Sequence, residues 1–181
     1  MKPIIEIHVS DDITEYILWC WDTYKKNEDN LISSTIKRNR SPRPHVATIK
    51  GIQSKNIKTL KDFMEDNTFL DCLKFFWETL QTITGENLYY NHIHFVEYER
   101  GGYQIEHNHA RHNPAHNEDY SAVFYLNTCR GGETFFMDPP KSFSPKKGDM
   151  IFFPADFTHG AKKTSSWFVK KKVLVLGLRK D

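Results

Sequence analysis

Apolar residues recur along the chain in two rhythms, and the change between them falls close to residue 86. Ile4, Ile5, Ile7 and Val9 lie in a short extended run over Lys2 to Val9, which predicts a first strand. Ser10 then stands where a helix cap belongs, and Ile13, Tyr16, Ile17, Cys20, Trp21 and Tyr24 repeat at helical spacing. The polar run Lys25 to Asn30 closes that helix. Residues 31 to 58 carry no clear period. Arg38, Arg40 and Arg43 cluster there around Ser41-Pro-Arg-Pro44, whose prolines block regular helix, so the stretch reads as a solvated loop or as a cationic lid for a substrate. Helical spacing resumes at Ile57, with a break predicted near Asp66-Asn67. Phe69, Cys72, Leu73, Phe76, Trp77, Leu80 and Ile83 then form one apolar stripe that ends at Gly85, a pattern that predicts a helix packed on a sheet.

Beyond residue 86 the period shortens to that of strands. Leu88 to Tyr98, Ser121 to Asn127, Glu133 to Met137, Asp149 to Phe153 and Lys172 to Leu178 are separated by Gly131-Gly132, Asp138-Pro-Pro140, Pro145-Lys-Lys-Gly148 and Pro154 to Gly160. Short strands joined by such turns predict an α+β, mainly β fold. Its core is a double-stranded β-helix, a jelly roll of the cupin-like kind, over 87–181, with the strand, helices and loop of 1–86 buttressing it within a single domain of 1–181.

Composition narrows the functional classes. A net charge of +2 gives no general case for nucleic acid or an acidic membrane as partner. Cys20, Cys72 and Cys129 are odd in number and widely spaced, without a zinc pattern or disulfide framework; Cys20, beside Trp21, reads as a core thiol. No apolar run is long enough to span a bilayer, and no signal-peptide core opens the chain, so a cytoplasmic location is expected.

Histidines carry the candidate chemistry. His107 and His109 lie one residue apart, just after a turn expected at Gly101-Gly102, and at a strand end residues i and i+2 project to one face, close enough to share a cation. His159 follows a later strand and can supply a third ligand, leaving open positions on an octahedral metal. Two rival groupings exist. His92 and His94 form a second His-x-His pair within a predicted strand. His116-Asn-Glu118 offers a histidine with a carboxylate, in a loop that also holds His112 and Asp119, but it abuts the Ser121 strand and lacks the glycine lead-in.

Five signatures in order extend the pattern: Tyr98-Glu-Arg-Gly-Gly-Tyr-Gln-Ile-Glu-His-Asn-His109, Ala122-Val-Phe-Tyr-Leu-Asn127, Gly131-Gly-Glu-Thr-Phe-Phe136, Pro145-Lys-Lys-Gly-Asp-Met-Ile-Phe-Phe-Pro154 and His159-Gly160. This half of the chain resembles the iron(II)- and 2-oxoglutarate-dependent dioxygenases, most closely their prolyl 4-hydroxylase-like branch. The resemblance implies Fe(II) on His107, His109 and His159, 2-oxoglutarate as co-substrate, O2, and hydroxylation of an unactivated C–H bond with release of succinate and CO2. It further implies Tyr98 and Tyr125 beside the co-substrate and a cation at the start of the last strand. Lys172 matches that position best, with Lys170 on its face, Lys171 on the opposite one and Arg179 at the strand's far end. The sequence departs from the family where His109 stands in place of the carboxylate ligand. That departure leaves two other readings open: a three-histidine dioxygenase that does not use 2-oxoglutarate, and a non-catalytic metal-binding barrel. Glu118 or Asp119 is a separate candidate to complete the site as a late carboxylate ligand. Neutral imidazoles need acceptors that fix their tautomers, and Asp156 is one candidate. The primary substrate, a protein or peptide side chain or a small molecule, is not written in these motifs.

Overall fold

The computed structural model describes residues 3–32, 48–110 and 117–181; the arginine cluster Arg38 to Arg43, His112 and His116 lie outside these ranges. Strand β1 (Ile5–His8) leads into helix α1 (Asp11–Tyr24). Ser10 occupies the cap position, but through its carbonyl, which accepts from the Thr14 N–H and hydroxyl; its side chain makes no capping bond. Strand β2 (Thr48–Gln53), in the stretch without a readable period, is followed by the short helix α2 (Lys61–Met64). Helix α3 (Asn67–Thr84) begins at the predicted break, because the Asp66 carboxylate accepts the Phe69 N–H. It ends at Gly85, whose φ of 67° is the left-handed conformation that glycine adopts without strain.

The strands β3 (Leu88–His107), β4 (Tyr120–Tyr125), β5 (Thr134–Phe136), β6 (Lys141–Phe143), β7 (Asp149–Pro154), β8 (His159–Ala161) and β9 (Lys171–Lys180) complete the chain. All pair antiparallel in the order β1-β7-β4-β9-β3-β8-β5-β6, with β2 also on β3. The sequence places a turn at Gly101-Gly102. Instead β3 runs on for 20 residues, and Gly101 adopts a positive φ of 75° within it. The first half of β3 pairs with β9 and its last residues pair with β8, so this one strand carries the sheet around the corner that makes it a jelly roll.

Alternation sorts the side chains onto two faces. Phe95, Phe124, Leu174, Leu176 and Leu178 meet Ile17, Trp21, Phe63, Phe69, Phe76 and Leu80 of the helices in one buried cluster. Trp21 stacks on Phe95 with ring centroids 5.0 Å apart. The α3 stripe is buried at Phe69, Cys72, Leu73, Phe76 and Leu80, whereas Ile83, near the helix end, is exposed. On the other face, inside the roll, Val96, Val123, Ile151, Phe153 and Val173 share their space with histidines, tyrosines, a lysine and a glutamate.

Candidate metal centre

His159 opens β8 directly opposite His107, the last residue of β3. His109 sits two residues further on, held by its N–H to the Ala155 carbonyl at 2.8 Å. The three ring centroids are 4.5 to 5.1 Å apart, and one ligand nitrogen from each ring lies within 4.8 Å of the others. Each Nδ1 has an oxygen partner: the Ile105 carbonyl for His107 (2.8 Å), the Phe157 carbonyl for His159 (2.9 Å) and the Glu118 carboxylate for His109 (3.0 Å). A carbonyl can only accept, so Nδ1 carries the proton in His107 and His159, and Nε2 is the nitrogen that can ligate a metal. Asp156, the candidate acceptor from the sequence, takes none of these three bonds. Phe153 and Phe136 pack on the His159 ring and help to bury it.

His92 and His94 do come together, Nδ1 to Nδ1 at 3.2 Å. Yet among the described residues the only group of three His, Cys, Asp or Glu with metal-holding spacing is His107, His109 and His159. Glu118 is 2% exposed and on the Nδ1 side of His109, which is the side away from the ligand nitrogen. Burial pushes its carboxyl up to about 8, and a hydrogen bond from Asn91 works against that rise.

One i, i+2 step along β8, about 7 Å from His159, Ala161 lies beside Thr134 of β5. The Tyr125 hydroxyl donates to Thr134 Oγ1 at 2.7 Å, and the Tyr98 hydroxyl donates to Gln104 Oε1 at 3.2 Å. The cation at this level is Lys171. Its Nζ lies 4.7 Å from the Tyr98 ring centroid and 5.7 Å from that of Tyr125, and donates to the Gly132 carbonyl at 2.7 Å. Lys172, the residue expected there, points the other way and pairs with Asp22 of α1 at 2.8 Å. The cause is register. Lys171 stands directly opposite Tyr98 on β3 and so shares its face, while Lys172 stands opposite Glu97 on the helix side. Arg179 lies at the other end of β9, beside Tyr89. Lys171 is 1% exposed, and burial depresses its ammonium to about 7 despite the opposing influence of Cys129 and Glu133.

The model of the 2OG-Fe(II) oxygenase superfamily matches residues 93–176, the segment that runs from β3 through the histidine cluster and Lys171 into β9. Over this segment the chain is similar to that superfamily. Its members are oxygenases that work with Fe(II), 2-oxoglutarate and O2. No curated protein sequence matches the chain. Among solved structures, the viral collagen prolyl hydroxylase vCPH of Paramecium bursaria Chlorella virus-1 in its 2OG complex is similar over 99% of this chain and 97% of its own, with a TM-score of 0.69 at 16% identity. The non-haem alpha-ketoglutarate-dependent epimerase SnoN from nogalamycin biosynthesis matches over 98% of this chain and 77% of its own (TM-score 0.67, 13% identity). A Trichoplax adhaerens prolyl hydroxylase in complex with a hypoxia-inducible-factor peptide matches over 98% and 83% (TM-score 0.64, 14% identity). At these identities the likeness is one of fold.

The residues present suit the superfamily's two small partners. Three imidazoles held by acceptors at Nδ1 are a nitrogen donor set suited to Fe(II). A buried ammonium beside the Tyr98 and Tyr125 rings suits a carboxylate.

Proposed function

We propose that this oxygenase hydroxylates an unactivated C–H bond, holding Fe(II) on His107, His109 and His159 and the distal carboxylate of 2-oxoglutarate on Lys171, Tyr125 and Thr134. The observation that carries this reading is Lys171. A lysine this deeply buried, with no salt bridge among the described residues, is costly unless an anion meets it. When bound, iron(II) and 2-oxoglutarate together supply oxidative decarboxylation, giving succinate and CO2 and placing one oxygen atom on the substrate. The chain's own work is positional. Ile105, Phe157 and Glu118 fix the imidazole orientations, Phe136 and Phe153 keep water from the His159 side, and Lys171 neutralises the incoming carboxylate.

The substrate belongs to one of two classes. One structural neighbour is bound to a peptide and another is an epimerase of nogalamycin biosynthesis, so the fold serves both polypeptide and biosynthetic chemistry. Three buried cysteines without a disulfide fit the cytoplasm as its location, and no helix among the described residues is long and apolar enough to cross a membrane.

Anaerobic titration with Fe(II) and then 2-oxoglutarate tests the reading. A visible metal-to-ligand charge-transfer band is expected only with both, and it is lost in His107→Ala and His159→Ala. Tight iron binding without that band would overturn the 2-oxoglutarate reading and favour a three-histidine site of another kind.

A further inference from the structure

At His107 and His159 a backbone carbonyl meets Nδ1, whereas at His109 the partner is a side chain, Glu118, set behind the ligand nitrogens. Its Oε2 lies 3.0 Å from His109 Nδ1, with both side chains nearly inaccessible at 1% and 5% exposure. The backbone holds the pair in place as well: the Glu118 N–H donates to the His109 carbonyl at 2.8 Å, and Ala110 bridges Glu118 in parallel register. The residue before it, Asn117, takes a positive φ of 55°, a conformation that asparagine adopts more readily than most residues. Space for the carboxylate is cut into the neighbouring strand. Gly177 of β9 faces it so closely that a Cβ there would come within 2.0 Å of Glu118 Oε1. A side chain at 177 and a carboxylate at 118 exclude one another.

We propose that Glu118 is the positioning residue of this metal centre, a carboxyl group set behind His109 whose hydrogen bond with Nδ1 fixes the ring and aims Nε2 at the metal. The inference rests on the three-histidine metal site proposed above but not on 2-oxoglutarate. It also places Glu118 where it cannot be a ligand itself without giving up His109. A histidine whose far nitrogen is bonded to a carboxylate is a stronger donor in a fixed orientation, and removal of such a partner typically costs about 10- to 100-fold in metal affinity.

The test is a metal titration that needs no turnover. Co(II) is titrated into the metal-free protein and followed by its visible ligand-field bands, with Fe(II) affinity measured anaerobically by competition against a chelator. Glu118→Gln keeps the shape and replaces the carboxyl group by an amide, and it is expected to weaken both metals by about 10- to 100-fold, with the metal-free thermal midpoint little changed. The same substitution is then made in a His109→Asp background, where a carboxylate already stands at the metal. There Glu118→Gln is expected to cost less than about threefold, or to strengthen binding, because two adjacent buried carboxylates repel.

Equal losses in the two backgrounds would show a structural effect and overturn the inference. So would an affinity of Glu118→Gln within about twofold of the parent. Metal binding by the parent that does not depend on His107 would overturn the site reading itself, and would be recognised before Glu118 is touched.

Discussion

Lys171 and Lys172 are neighbours on β9, yet one lies inside the roll and the other reaches across the helix side to Asp22. The contrast extends along the whole central pair of strands. Facing the helices, β3 and β9 present Ile93, Phe95, Leu174, Leu176 and Leu178, with charge admitted at Glu97, which meets Lys25 at 2.7 Å and Lys170 at 3.2 Å and accepts from the Trp21 indole. Facing the interior, the same strands present Lys171, Tyr98, His94 and the gap at Gly177 that Glu118 fills. The first face is complete as folded: apolar groups meet apolar groups, and its buried carboxylate has counter-ions. The second face carries a buried ammonium without a salt bridge among the described residues and three convergent imidazoles. A surface that costs stability as folded, beside one that supplies it, marks where the ligand energy enters.

The largest effect that separates the two faces should come from Lys171→Met. Loss of this buried cation should weaken 2-oxoglutarate binding by at least about a hundredfold, the scale of removing one partner from a buried charge pair. The protein itself should gain stability, because a desolvated ammonium is gone. Calorimetric titration and a thermal melt of one variant read both outcomes, and unchanged co-substrate affinity would remove Lys171 from the site. Phe95→Ala tests the opposite face. Phe95 touches Trp21, Phe63 and Phe69, so truncation should cost about 3–5 kcal/mol in urea unfolding, while Co(II) affinity of the folded fraction stays within about twofold.

A pH profile sharpens the contrast further. Burial holds Lys171 at about 7, below its usual 10.5. The unfolded chain therefore binds one more proton than the native protein between those values, and stability should rise with pH across that window; Lys171→Met should remove the rise. Binding of an anionic carboxylate requires the proton back. Affinity for 2-oxoglutarate should accordingly be level below pH 7 and fall by about tenfold per pH unit well above it, a dependence that a calorimetric series from pH 6 to pH 9 would expose.

The period of the apolar residues made the fold legible, since both helix stripes and the six predicted strands are themselves core-forming patterns. Strands β2, β6 and β8 were not legible in this way. The last two have only three residues, and their place comes from pairing with neighbours rather than from their own composition. The Gly101-Gly102 reading failed because glycine permits a positive φ inside a strand as readily as in a turn. His107 and His109 stood out because a chelating spacing is local, and His159 was added from its place after a later strand and the order of the motifs. The choice between Lys171 and Lys172 was not local: it depends on which residue of β3 lies opposite, and a slip of one position inverts every assignment on the strand. Glu118 was visible as a carboxylate but not as the partner of His109, because the contact with Gly177 that admits it joins residues 59 positions apart.

Lys172→Met should have the smallest effect. Asp22 is shared between Lys172 at 2.8 Å and Lys25 at 2.6 Å, and its side chain is 40% exposed. Burial tends to raise the Asp22 carboxyl, but hydrogen bonds from the two lysines outweigh it and hold the group below its ordinary value. A depressed carboxylate contributes stability that is fully present above the unfolded value, near pH 4, and that is lost as the pH falls below it. Lys25 remains when Lys172 is removed, and solvent screens what is left. The cost should therefore be under about 1 kcal/mol at neutral pH, shrinking toward zero below pH 4 or in molar salt. Co-substrate affinity should not change at all. If Lys172→Met instead weakened 2-oxoglutarate binding as strongly as Lys171→Met, the register of β9 against β3 would be off by one residue, and the separation of the two faces would fall with it.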